Sequence, residues 1–96
     1  MKAEQFIKDI SKALGIPVQK SGSADPIYFI HENGLSVFDV GHKVSICYQP
    51  NTEDQATTNT LFPNQDLKMA VIDAYKNARI EIANRKSDDT EAFDVC

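Results

Sequence analysis

Residues 27–50, IYFIHENGLSVFDVGHKVSICYQP, carry the dipeptide Asn33-Gly34 inside an apolar run. That dipeptide limits the local fold more than any other feature of the chain. A two-residue type I′ turn needs positive φ at both central residues, which Asn and Gly tolerate at least cost. The turn predicts a hairpin in which Glu32 faces Leu35, Ile30 faces Val37, Phe29 faces Phe38 and Ile27 faces Val40. Directly opposed residues share a sheet face. One face then carries Tyr28, Ile30, Leu35 and Val37, and the other carries Ile27, Phe29, Phe38 and Val40. Both faces are apolar, whereas a sheet covered on one side alternates apolar with polar.

A second turn around Gly41-His42 leads into a third strand containing Val44, Ile46 and Tyr48. A two-residue loop groups these three with Ile30 and Val37; a three-residue loop groups them with Phe29 and Phe38. A one-residue slip reverses every side chain, and the sequence leaves both registers open.

Helices flank the strands. Over residues 2–14 the apolar positions Phe6, Ile7, Ile10, Ala13 and Leu14 recur at helical spacing, with charges elsewhere. Gly15 suits a left-handed C-cap and Pro17 prevents continuation. The segment IPVQKS is extended, an edge strand at best because of its proline, and residues 21–26 form a polar connector. Residues 50–62 read as a long polar loop. Its Thr-rich middle is a candidate fourth strand, and Leu61 and Phe62 are candidate apolar anchors at its end. Pro63 and Asn64 suit the start of a second helix over about 64–85. On it Leu67, Val71, Ala74, Tyr75, Ala78 and Ile82 form one stripe. Met69, Ile72 and Ile80, with Ala83 beside them, lie toward the opposite side, so this helix is apolar on two sides.

The expected fold is therefore α+β: an N-terminal helix, a three- to four-stranded antiparallel β-meander and a long C-terminal helix, in α-β-β-β-β-α order. It forms a single domain over residues 1–86, followed by a flexible, disordered acidic tail over 87–96. The net charge of −4 belongs to that tail. Residues 1–86 hold equal numbers of acidic and basic side chains, and Asp88, Asp89, Glu91 and Asp94 make up the difference. A nucleic-acid binder needs excess positive charge on its folded surface, and a nucleic-acid mimic needs excess negative charge. A balanced body supplies neither. The two cysteines, Cys47 in a strand and Cys96 at the last position, are expected as free thiols in a reducing compartment. Charges interrupt the N-terminal stretch every few residues, which argues against a signal peptide. No apolar run reaches the ~18 residues of a membrane span. A cytoplasmic location is expected.

Catalytic and metal-binding constellations fail on geometry. His31 and His42 fall at opposite ends of the hairpins, too far apart to share a metal. Cys47, in the two-residue register, lines up with Ser36 and His31 across three strands. Two strand spacings of about 4.8 Å separate it from His31, beyond the hydrogen-bond reach of a nucleophile and its base. Asp39 and Glu32 on one face are a candidate carboxylate pair, with a solvated sheet edge as the simpler reading. Zinc motifs, phosphate-binding glycine loops and nucleophile elbows are absent. No cofactor, no metal and no enzymatic activity are expected.

The order helix, three strands, helix resembles that of the double-stranded RNA-binding domain, in topology alone. In that family a basic cluster opens the second helix and sits on phosphates. The matching stretch here is NQDLKM, whose lysine Lys68 is offset by Asp66. Arg79, Arg85 and Lys86 supply a weak basic patch farther along. Small acidic secretion chaperones also pair an N-terminal helix with a sheet and dimerise through apolar surface, but this chain is short for one.

Two arrangements account for the surplus apolar residues. Helices on opposite sheet faces, with the 50–62 loop over the remainder, would make all of them core. Helices on one face would leave a patch of the size that marks interaction sites. The second arrangement makes Phe29, Phe38, Val40, Met69, Ile72 and Ile80 candidate partner-binding residues, facing either an identical chain or a different protein. The functional expectation is a small non-enzymatic binding module: an inhibitor, immunity-type or adaptor protein, of the sort phages and mobile elements encode, that covers a larger protein's working surface. The acidic tail would add steering toward a basic partner or simply solubilise the chain.

Overall fold

The computed structural model describes residues 1–49, 53 and 55–95, with side chains described through residue 84. Helix α1 (Ala3–Leu14) is followed by β1 (Gln19–Lys20), β2 (Tyr28–Glu32), β3 (Leu35–Asp39), β4 (Val44–Tyr48) and β5 (Thr57–Leu61), and α2 (Gln65–Val95) closes the chain. The strands form one antiparallel sheet in the order β1-β2-β3-β4-β5, a meander in which each strand neighbours the next in sequence. The α+β architecture with a helix at each end is thus the one expected. It gains a fifth strand, because the extended segment after Pro17 pairs with β2 for two residues and no more.

Local chemistry explains the boundaries. Gly15 adopts φ 70° and its N–H donates to the Ser11 carbonyl at 2.8 Å, closing α1 with a left-handed cap. Asn33 at φ 52° and Gly34 at φ 81° make the primed turn between β2 and β3. The turn between β3 and β4 is the two-residue form. The Val40 N–H donates to the Lys43 carbonyl at 3.1 Å, and Val37 pairs with Ile46. Val44, Ile46 and Tyr48 therefore share a face with Ile30, Leu35 and Val37.

Both helices lie on that face. Ile30, Leu35, Val37 and Val44 are buried with Phe6, Ile7, Ile10 and Leu14 of α1 and Val71, Ile72 and Tyr75 of α2. The arrangement with helices on opposite faces is excluded. Three cross-links tie the helices to the sheet and to each other. The Tyr75 hydroxyl donates to the Leu35 carbonyl at 2.9 Å in the core. Arg79 donates through Nε to both Glu32 carboxylate oxygens, at 2.9 and 3.2 Å, and through a terminal nitrogen to the Leu14 carbonyl at 2.8 Å. Lys68 meets Asp9 at 3.0 Å.

At the start of α2, the Asn64 Oδ1 accepts the Leu67 N–H at 2.8 Å, an N-cap satisfying one of the helix's orphan donors. Asn64→Ala is expected to cost about 1 kcal/mol, read as a lower urea midpoint with an unchanged m-value; an unchanged midpoint would deny the cap any role. The other end of α2 departs from expectation. The helix does not stop near residue 85 but runs on to Val95, through the segment read as a disordered tail. No proline or glycine lies between Gln65 and Val95 to break it. Cys96 and the first residues of the 50–62 loop, 50–52 and 54, lie outside the described residues.

Candidate docking surface

With both helices on one side, no described element lies over the opposite sheet face. The register arranges its side chains in rows across β2, β3, β4 and β5. Nearest the Asn33-Gly34 turn stand His31, Ser36, Cys47 and Thr58, directly opposed from strand to strand. The next row holds Phe29, Phe38, Ser45 and Thr60. Continuing the register by one pair adds Ile27, Val40, Lys43 and Phe62. Polarity is graded along the strands: hydroxyl, thiol and imidazole at one end, then an aromatic row, then an apolar row with one cation.

Contacts within the rows follow from this register. Phe29 and Phe38, an opposed pair on adjacent strands, stack with ring centroids 5.3 Å apart, a favourable cross-strand aromatic arrangement. Lys43 Nζ lies 4.6 Å from the centroid of the Phe62 ring. The His31 Nδ1 and Ser36 Oγ are 2.6 Å apart, and the Thr58 hydroxyl donates to the Cys47 Sγ at 3.6 Å. Within the five strands this face carries no lysine, arginine, aspartate or glutamate, although a quarter of the chain is charged. Among the described residues, formal charge enters at its rim through Lys43.

The six residues expected to bind a partner are not brought together. Phe29, Phe38 and Val40 lie on the open face. Met69 and Ile80 are 49% and 58% exposed on the outward side of α2, across the sheet from it. Ile72 is 7% exposed and belongs to the core; its assignment to a surface is corrected. A helix packed against a sheet alone buries a narrow stripe, but α2 also packs against α1, which widens its buried arc to include Ile72. Phe62 is the residue sequence reasoning missed. With Leu61 it is a candidate anchor by sequence, yet the two are 66% and 43% exposed. The usable signal was its register with Lys43, which required β5 to be paired first.

Other candidate chemistry separates. The Glu32 carboxylate is occupied by Arg79, and Asp39 Oδ1, at the far end of β3, accepts the Gly41 N–H at 3.0 Å. These carboxylates are therefore no pair. Arg79, from the basic patch considered for nucleic acid, is held by Glu32 and the Leu14 carbonyl, and Lys68, the lysine near the start of α2, is held by Asp9; the side chains of Arg85 and Lys86 lie outside the described set. The hydrogen bond from Gln5, with that from Lys68, holds the Asp9 carboxyl below its ordinary pKa. A small pocket between α1 and the sheet is lined by Ile7, Val18 and Tyr28 and rimmed by the Lys8–Glu4 pair at 2.9 Å. The mutual hydrogen bond lowers the Glu4 pKa and raises that of Lys8. Among the described residues no group of His, Cys, Asp and Glu could hold a metal ion, and no helix is long and apolar enough to cross a membrane. No family model, curated protein or solved structure matches the chain.

Proposed function

We propose that this chain is a protein-binding module that docks a larger protein on its open sheet face and acts by covering that protein's working surface, as an inhibitor or adaptor does. The observation that carries the reading is the uncharged face itself, with the Phe29–Phe38 stack at its centre and Ile27, Val40 and Phe62 exposed beside it. Interface centres favour aromatic residues and exclude charge. A surface whose centre has no carboxylate or ammonium to desolvate avoids the main cost of burying a polar surface. Lys43 at the rim matches a carboxylate or a row of carbonyls on the partner. A nucleic-acid reading has less support, because phosphate contacts dominate such affinity and among the described residues this face offers one cation, Lys43, already engaged by Phe62.

Photo-crosslinking tests the proposal. A photoreactive residue at position 38 or 62 should capture a discrete protein from an extract of the source cells, and one at position 69 should not. Phe38→Asp should weaken retention of that protein at least tenfold, while Met69→Asp leaves it unchanged. Equal capture at positions 38 and 69, or retention indifferent to Phe38→Asp, would sink this assignment. Retention on RNA that falls steeply with salt would transfer the face to nucleic acid.

A further inference from the structure

The two edges of the sheet are built differently. β1 is two residues long, follows Pro17 and contains Lys20. Short length, a proline and a lysine are the usual protections of an edge against pairing with another strand. β5, TTNTL, is five residues long, without charge, proline or glycine, and all of its residues are exposed. Its register with β4 is continuous, so no bulge bends it away. It is the last strand of the sheet.

Alternation of the ladder identifies the backbone groups on that open edge. Bonds from Val40 N–H to Lys43 and from Gln49 N–H to Gly34, at 3.1 and 2.8 Å, mark hydrogen-bonded pairs at the two ends of the β3–β4 ladder. Bonded and non-bonded pairs alternate in an antiparallel ladder. Val44, Ile46 and Tyr48 therefore turn their N–H and C=O toward β5, where they meet Leu61, Asn59 and Thr57. The N–H and C=O of Thr58 and Thr60 are left pointing outward.

We propose that this edge pairs with the same edge of a second copy of the chain, antiparallel, about a two-fold axis at Asn59. Thr58 then opposes Thr60 of the second copy, and each opposed pair exchanges two backbone hydrogen bonds through the groups that point outward. An isologous contact must be complementary to itself. The segment Thr58-Asn59-Thr60 satisfies this: it reads the same in both directions, opposes threonine to threonine and sets no like charges against each other. The joined sheet lays the two uncharged faces side by side. Edge pairing involves the strand margin rather than the open face, so it holds or fails independently of what that face binds. One short strand from each copy makes the contact, so association is reversible and concentration-dependent.

Sedimentation or light scattering across micromolar to millimolar concentration tests it. The native chain should rise from 10.7 kDa toward twice that mass. Asn59→Lys and Asn59→Asp, each alone, set like charges across the axis and should remain monomeric. Their equimolar mixture should recover the dimer, because opposite charges then face each other. Thr58→Pro removes an outward N–H and no ladder bond within the chain, so it should be monomeric with an unchanged circular-dichroism spectrum. If any one variant fails to fold, the native series and the remaining variants decide. A native chain monomeric at millimolar concentration overturns the proposal. So does association that persists in folded Asn59→Lys and Thr58→Pro, or a mixture that does not recover.

Discussion

Val37→Asp is expected to abolish folding, while Phe38→Asp, one residue along the same strand, leaves a folded and soluble chain. Val37 is 0% exposed, beneath both helices, among Ile30, Val44 and residues of α1 and α2. A carboxyl group there has no hydrogen-bonding partner within the core, and its burial costs several kcal/mol even when it takes up a proton. That is a large share of the roughly 5–15 kcal/mol by which a domain is stable. Phe38 faces the other way. Its replacement loses the stack on Phe29 and part of its apolar contact, a cost of about 1–2 kcal/mol. Urea unfolding followed by far-UV circular dichroism separates the two. A cooperative transition for Val37→Asp close to the native midpoint would refute the assignment of faces, and so would loss of structure in Phe38→Asp.

The second large effect concerns alkaline pH. Tyr75 is wholly buried, and its hydroxyl donates to the Leu35 carbonyl. Burial, with a smaller contribution from the nearby Glu32 charge, raises its pKa far above the ordinary tyrosine value of 10. The folded state therefore holds this proton more tightly than the unfolded state does. Below the unfolded pKa near 10 the proton is bound in both states and the stabilisation is complete. As pH rises past 10, the unfolded chain releases the proton and the folded chain does not. Stability then falls by up to ~1.4 kcal/mol per pH unit.

Tyr75→Phe removes the hydroxyl and so isolates this contribution from the lysines, which titrate alike in both proteins. At pH 7 the variant should be less stable by about 1 kcal/mol through the lost hydrogen bond. The native protein's advantage should shrink above pH 10 and reverse as the pH climbs further. Unfolding midpoints of the two proteins measured from pH 7 to 11 provide the check, and parallel curves would show that this proton is not linked to folding.

The sequence by itself determined both helix starts, the central strands and the register of the first hairpin, because those depend on neighbours along the chain. Asn33-Gly34 demanded a primed turn and thereby paired Phe29 with Phe38 and Ile30 with Val37. Gly15 and Pro17 ended α1, and Asn64 began α2. The Thr-rich stretch was legible only as a candidate strand within a polar loop, and pairing with β4 made it β5. The C-terminal limit of α2 was not legible: acidic composition suggested an irregular tail, whereas the backbone is helical to Val95 where no residue interrupts it.

Only the tertiary structure decided which of two equally apolar sheet faces becomes core. Local pattern cannot break that tie, because both faces satisfy the hydrophobic requirement and the choice depends on where two helices distant in sequence come to rest. The same packing drew Ile72 inward, left Met69 and Ile80 outside, and engaged Arg79 and Lys68 in contacts with neighbouring elements. It also put Phe62 beside Lys43 on the open face and left β5 as an unguarded edge. Which side of a strand meets water, and which edge stays open, are properties of the assembled layers, and no single segment encodes them.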